Sequence, residues 1–154
     1  PCFVAPGYWD DDSWINGDYR LKSFGWRWDA AREQWVFDRV TSRCIDAGNP
    51  GSPLADEPLS IPDDPNNDWG CNLRIDMGAY GGTAEASIPP YDWAILGDLN
   101  NDGIVDFYDF ACAGPHWRLI GPDQPCDLNR NGEVNPADLD LFADDWLKTT
   151  IWRK

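Results

Sequence analysis

The sequence predicts an α+β fold, a loop-rich β-strand region over residues 1–88 followed by a small α region over 89–154 made of two acidic loop–helix units. Three observations point to it. Short runs in the first part alternate apolar and polar residues. An acidic phrase is written twice in the last third, once from Asp98 and once from Asp127. Apolar residues at helical spacing follow each copy.

In chain order, Asp18–Ser23 sets Tyr19, Leu21 and Ser23 against Arg20 and Lys22, the alternation of a half-buried strand. Glu33–Asp38 places Trp35 and Phe37 on one side, and Arg74–Ala79 does so with Ile75, Met77 and Ala79. Between them, Asn49–Asn72 contains Gly51, Pro53, Pro58, Pro62 and Pro65, which exclude a helix. Ser87-Ile-Pro-Pro90 is stiff and extended, because each proline moves the residue before it out of the helical basin, and the domain boundary is expected there. Phe107, Phe110 and Ala111 then begin a helix that Gly114-Pro115 stops within about two turns. Asn135 is a good cap and Pro136 a good first residue for a second helix, whose apolar stripe is Leu139, Phe142, Ala143, Trp146 and Leu147.

The 154 residues include 27 Asp and Glu against 12 Lys and Arg, a formal charge of -15. Such a surface repels phosphate backbones and anionic lipid, so neither nucleic acid nor membrane is an expected partner, whereas cations are attracted. No run approaches the roughly 18 to 20 apolar residues of a membrane span. A chain opening Pro1-Cys2-Phe3 is expected to be a processed or trimmed piece of a longer precursor, its export signal lost upstream. Five cysteines without a CxxC pair give no zinc pattern and favour an oxidising, extracellular or cell-surface location. The expected disulfides are Cys112–Cys126, which bracket the connection between the repeats, and Cys44–Cys71; Cys2 is left over. Ten tryptophans suit a small domain that fills its core with large rings, and stacking on sugar rings is the competing use.

A calcium loop supplies oxygen ligands from positions 1, 3, 5, 7, 9 and 12 and needs glycine at position 6. The first phrase fills them with Asp98, Asn100, Asp102, the carbonyl of Ile104, Asp106 and Asp109, around Gly103. The second does so with Asp127, Asn129, Asn131, the carbonyl of Glu133, Asn135 and Asp138, around Gly132. Two calcium ions are therefore expected, the first loop binding more tightly because it carries more carboxylates. Val105 and Val134 at position 8 are expected to pair the loops back to back. Solvated Asp-Asn-Gly turns would explain one such phrase but not two complete registers.

With Asp at position 12 in both copies, residues 93–147 resemble a type I dockerin. The resemblance implies two loop–helix units about an approximate two-fold, and docking onto a cohesin-like scaffold protein. Where that family reads its partner, at positions 10 and 11, commonly Ser-Thr, this chain has Phe107 and Tyr108, then Pro136 and Ala137. Calcium binding carries over, cohesin binding does not, and Phe107-Tyr108 becomes the candidate partner surface. Arg43-Cys-Ile-Asp-Ala-Gly-Asn-Pro50 and Leu73-Arg-Ile-Asp-Met-Gly-Ala-Tyr80 resemble phrases that close right-handed parallel β-helices of secreted bacterial surface proteins, which would make about 17–83 a terminal cap, with Gly17–Lys22 as a preceding rung.

Catalysis is not expected. The acidic clusters Asp10–Asp12 and Asp63, Asp64, Asn66, Asn67 and Asp68 read as solvated loops, and His116 is a lone histidine. The sequence favours a non-catalytic, extracellular, calcium-stabilised assembly module that forms a homo-oligomer or filament or docks to another protein, with polysaccharide contact as a further option. The alternative is the cohesin-type docking tail of a secreted carbohydrate-active β-helix enzyme.

Overall fold

Strand β1 (Phe3–Ala5) pairs antiparallel with β4 (Asp18–Leu21), and between them the chain makes a tight hairpin of β2 (Tyr8–Asp10) and β3 (Ser13–Ile15). A second hairpin joins β5 (Arg27–Asp29) to β6 (Gln34–Val36). This is a computed structural model, and it describes residues 1–61 and 70–153. The acidic run Asp63, Asp64, Asn66, Asn67 and Asp68 lies outside the described residues.

Both hairpins use one device. Trp9 faces Trp14 across the strands, and Trp28 faces Trp35, each pair edge-to-face at 5.9 and 5.8 Å between ring centroids. Such cross-strand aromatic pairs contribute roughly 0.2–1 kcal/mol each, which matters in strands of three residues. An aspartate follows the first tryptophan in each. In the second hairpin Asp29 accepts from the backbone N–H of Ala31 and of Arg32, closing the turn.

Two helices follow, α1 (Phe107–Ala113) and α2 (Pro136–Asp144), of 7 and 9 residues. The α+β expectation is therefore corrected: regular structure is mostly short antiparallel strand pairs, and two short helices do not make an α domain of two calcium loop–helix units. The fold is small and β-rich. The β-helix cap is corrected with it, since all three strand pairings among the described residues are antiparallel.

The third expected strand, Arg74–Ala79, is absent for a reason visible in its burial. Arg74 and Asp76 are buried while Met77 and Ala79 are exposed, so the alternation is inverted. What this segment buries is a polar network. Asp46 accepts from the N–H groups of Leu73 and Arg74, Asp76 from that of Asp46, and Glu57 from those of Asp76 and Gly82. Three buried carboxylates thus bind backbone that no strand ladder satisfies.

Two apolar clusters hold the chain together. Ile95, Val105, Leu128 and Phe142 form one. Leu21, Ile45 and Trp93 form the other, with Phe3 and Trp152 against it, so it draws on both ends of the chain. Around it Trp93 Nε1 donates to Ile45 O, Trp152 Nε1 to Trp93 O, and the Arg43 guanidinium stacks on the Trp152 ring. The boundary expected at Ser87–Pro90 falls in a run that is buried throughout, with Ser87 Oγ donating to Leu21 O and the Ile88 N–H to Trp26 O. Gly25 is required there: a Cβ on it would come within 2.1 Å of the Pro89 carbonyl carbon.

Burial, with Glu57 adding negative charge, pushes the Asp46 carboxyl up to about 7 against its N–H partners and Arg74. Asp76 and Glu57 are also raised, by burial first. Folded Asp46 therefore keeps a proton that the unfolded chain releases, so its stabilisation is full below about pH 4 and lost as pH rises through about 7. Urea unfolding in chelator, across pH 4 to 7, should show wild type losing more stability than Asp46→Asn, by about 1.4 kcal/mol per pH unit of the raised interval at most. Parallel pH profiles would refute the assignment.

Candidate metal centre

Each acidic phrase folds as a chain of side-chain-to-backbone hydrogen bonds. Asp98 accepts from the N–H of Asp102 at Oδ1 and of Gly103 at Oδ2. Asn100 Oδ1 also accepts from Asp102 N, and Asp102 Oδ1 from Ile104 N. Asp109 returns from α1 to accept from Asn100 N at Oδ1 and Asp106 N at Oδ2. Asp106 caps α1 by accepting from Tyr108 N.

The second phrase repeats the pattern bond for bond. Asp127 accepts from Asn131 N and Gly132 N, Asn129 from Asn131 N, and Asn131 from Glu133 N. Asp138 accepts from Asn129 N and Asn135 N, and Asn135 caps α2 through Ala137 N. The backbone agrees: Gly103 and Gly132 have φ of +90° and +88°, and the residues two before them, Asn101 and Arg130, have φ of 57° and 56°. The glycines supply a turn that a β-carbon would strain. One difference is that Asn135 Nδ2 donates to the Glu133 carbonyl, the position 7 oxygen of the second loop.

Val105 and Val134 do not pair with each other. Val105 exchanges backbone bonds with Leu147 and Lys148 beyond α2, and Val134 with Arg118 and Leu119 beyond α1. Arg118 and Leu147, both with φ of 63°, turn the chain into these contacts. Each loop is thus latched by the segment that follows the helix of the other.

Asp98, Asp109, Asp127 and Asp138 are all buried and form no ion pair with any described residue. Burial, with the charge of Asp109, raises the Asp98 carboxyl despite its N–H partners and Arg74. Among the described residues no three His, Cys, Asp or Glu side chains are gathered as a ready metal cluster. The donor set nevertheless suits a hard cation: every candidate ligand is oxygen, and a carboxylate oxygen accepting one N–H retains a lone pair. Asp102 is also engaged, by Arg153 at 3.0 Å.

Phe107 and Tyr108 are three-quarters exposed, and the Phe107 ring lies edge-to-face with that of Trp146 at 4.9 Å between centroids. Asp10, Asp11 and Asp12 are exposed at the β2–β3 turn. No disulfide closes Cys112–Cys126 or Cys44–Cys71. The fold does bring the first pair together, with Cys126 Sγ 3.7 Å from the Cys112 carbonyl oxygen.

A proximity invisible in the sequence joins Cys126 to His116, Sγ to Nδ1 at 3.8 Å. It does not have the character of a nucleophile. Cys126 is buried, and burial, with Cys112 and Asp138 beside it, pushes the thiol up to about 11, away from thiolate. Comparison with family models, curated proteins and solved structures finds no match to this chain.

The matched geometry predicts matched costs. Asp109→Ala and Asp138→Ala each remove two carboxylate acceptors of backbone N–H groups and half a capping box, about 1–3 kcal/mol apiece in chelator by chemical denaturation. A loss at one site only would show that the two loops are not equivalent supports.

Proposed function

We propose that the two loops each hold one calcium ion and that the chain is a non-catalytic, extracellular, calcium-stabilised assembly module. The observation that carries this reading is the set of four buried carboxylates, two per loop, each with its backbone partners in place and none in an ion pair with a described residue, Arg74 adding positive charge near Asp98 and Asp109 of the first loop only. Buried charge without a counter-charge is costly, and a divalent cation supplies one through oxygen ligands alone. Asp98, Asn100, Asp102, Ile104 O, Asp106 and Asp109 would hold one ion; Asp127, Asn129, Asn131, Glu133 O, Asn135 and Asp138 would hold the other.

Assembly, as opposed to calcium storage, is supported by the apolar surface around α1 and α2, where Phe107, Tyr108, Phe110, Trp117 and Leu139 are exposed. A second reading, docking to a different scaffold protein as in the dockerin-like resemblance, is favoured by the exposure of Phe107 and Tyr108 at the partner-reading positions.

Calorimetry should titrate two calcium ions, the tighter at the first loop with its four carboxylates, and Asp109→Ala or Asp138→Ala should each abolish one of them. Chelator should lower the melting temperature and release protection of residues 90–150 in hydrogen exchange before the rest. Unchanged melting with chelator, or no heat of binding, would remove calcium from the account.

If the compartment is oxidising, Cys112 and Cys126 are the pair to be joined. Peptide mapping without reductant should find that bond, and finding both thiols alkylatable in secreted material would count against the location.

A further inference from the structure

The two acidic loops fold alike, and so do the segments that latch them. Residues 148–153 run beside the first loop as residues 119–124 run beside the second: Thr150 N donates to Gly103 O and Gly121 N to Gly132 O, at the same spacing that separates the loops themselves. On that register Arg153 stands where the second latch has Gln124, and Asp102, at position 5, stands where the second loop has Asn131. The two differences meet. Arg153 Nη1 lies 3.0 Å from Asp102 Oδ1 and also donates to the Asp102 carbonyl. Of the candidate ligands in either loop, Asp102 alone is in an ion pair with a described residue.

The rest of the first latch is fixed. Thr150 is buried, and its Oγ1 donates to Gly103 O beside its N–H. Trp152 covers the Gly103 turn, where an added Cβ would come within 2.6 Å of its ring, whereas no described atom lies within 4 Å of that position on Gly132. Trp152 is itself held, by Nε1 donating to Trp93 O and by Arg43 on its face. Beyond these anchors the Arg153 side chain is 43% exposed. Arg74 brings positive charge to the first loop as well, but it is buried and donates to the carbonyls of Gly48 and Asp98, so it belongs to the frame.

We propose that Arg153 is a built-in competitor at the first loop: a calcium ion entering there takes Asp102 from the guanidinium, so Arg153 lowers calcium affinity at that loop and not at the other. The inference rests on the calcium reading above and adds what regulates one of its two sites. A divalent ion and a guanidinium on one carboxylate repel each other at short range, and the exposed side chain can turn to solvent while Thr150 and Trp152 stay in place. An exposed ion pair is weak, so the competition trims the lead that four carboxylates give the first loop without reversing it. The second loop has a neutral amide at position 5 and a neutral amide in its latch, so nothing has to be displaced there.

Calcium titration of the full chain, followed by the backbone amide signals of Gly103 and Gly132 in NMR, reads the two loops separately. Arg153→Gln, which copies the second latch, should move the Gly103 midpoint to about two- to fivefold lower calcium and leave the Gly132 midpoint in place. Arg153→Lys keeps the charge and should stay nearer wild type. Direction separates competition from support, because removing a residue that merely braced the loop would weaken binding. A Gly103 midpoint that is unchanged or rises in Arg153→Gln overturns the inference. So does a fall of equal size at both glycines, which would be the loss of one positive charge felt by the whole chain. Either result leaves the calcium reading intact, since both loops still fill. If neither glycine of the wild type responds to calcium, that reading falls and the role of Arg153 falls with it.

Discussion

Backbone groups in this chain depend on buried carboxylates for partners that regular structure would otherwise supply. With strands of three or four residues and two short helices, ladders and helical turns satisfy only part of the main chain. Asp46, Glu57 and Asp76 take up N–H groups in the first region, and Asp98, Asp109, Asp127 and Asp138 do so in the second. A carboxylate is well suited, because two oxygens with spare lone pairs can gather donors from separate segments. The cost is desolvation, and the raised carboxyls of Asp46, Asp76 and Asp98 record it. The two regions differ in how that cost can be met. Around Asp46 a proton can be retained, with Arg74 nearby. In the acidic loops, where four carboxylates are matched by oxygen-rich neighbours, a cation is the natural complement.

The same scarcity of regular structure explains the tryptophans. A short hairpin cannot bury a sheet face, so Trp9–Trp14 and Trp28–Trp35 hold their strands by ring contact, and Trp93 and Trp152 join the chain's two ends through ring packing and indole donors. Arginines complete the joint from both sides. Arg74 donates to the Asp98 carbonyl at the entrance to the first loop, and Arg130, within the second, donates to the carbonyls of Pro50 and Leu73. Both loops are therefore tied by hydrogen bonds to Leu73 and Arg74, the residues whose N–H groups Asp46 holds.

What the sequence revealed follows the range of the interactions. Within Asp98 to Asp109 and Asp127 to Asp138 the side-chain acceptors reach backbone N–H groups no further than nine residues away, so a positional register is enough to read them. Caps at Asp106 and Asn135 are local too. The hairpin β2–β3 was missed although Trp9-Asp10 followed by Trp14 has the same order as Trp28-Asp29 followed by Trp35, because three exposed residues per strand give no alternation to detect. Arg74–Ala79 misled for the opposite reason: its alternation is real, but distant carboxylates at Asp46 and Glu57 decide which side faces inward. The crossed latches of Val105 and Val134, and the approach of Cys126 to His116, depend on how the loops return on each other. No local pattern encodes that return.

An acidic chain that also exposes aromatic surface faces two opposed demands. Its charge repels other copies at long range, while burial of the exposed apolar side chains around α1 and α2 would favour contact at short range. Two divalent cations would cancel four of the fifteen negative charges and would do so at the loops beside α1 and α2, lowering the repulsion next to that exposed apolar surface. Repulsion spread over the whole surface and apolar attraction confined to one face would make contact conditional on orientation, and calcium at the loops, on the reading proposed above, would shift the balance between them.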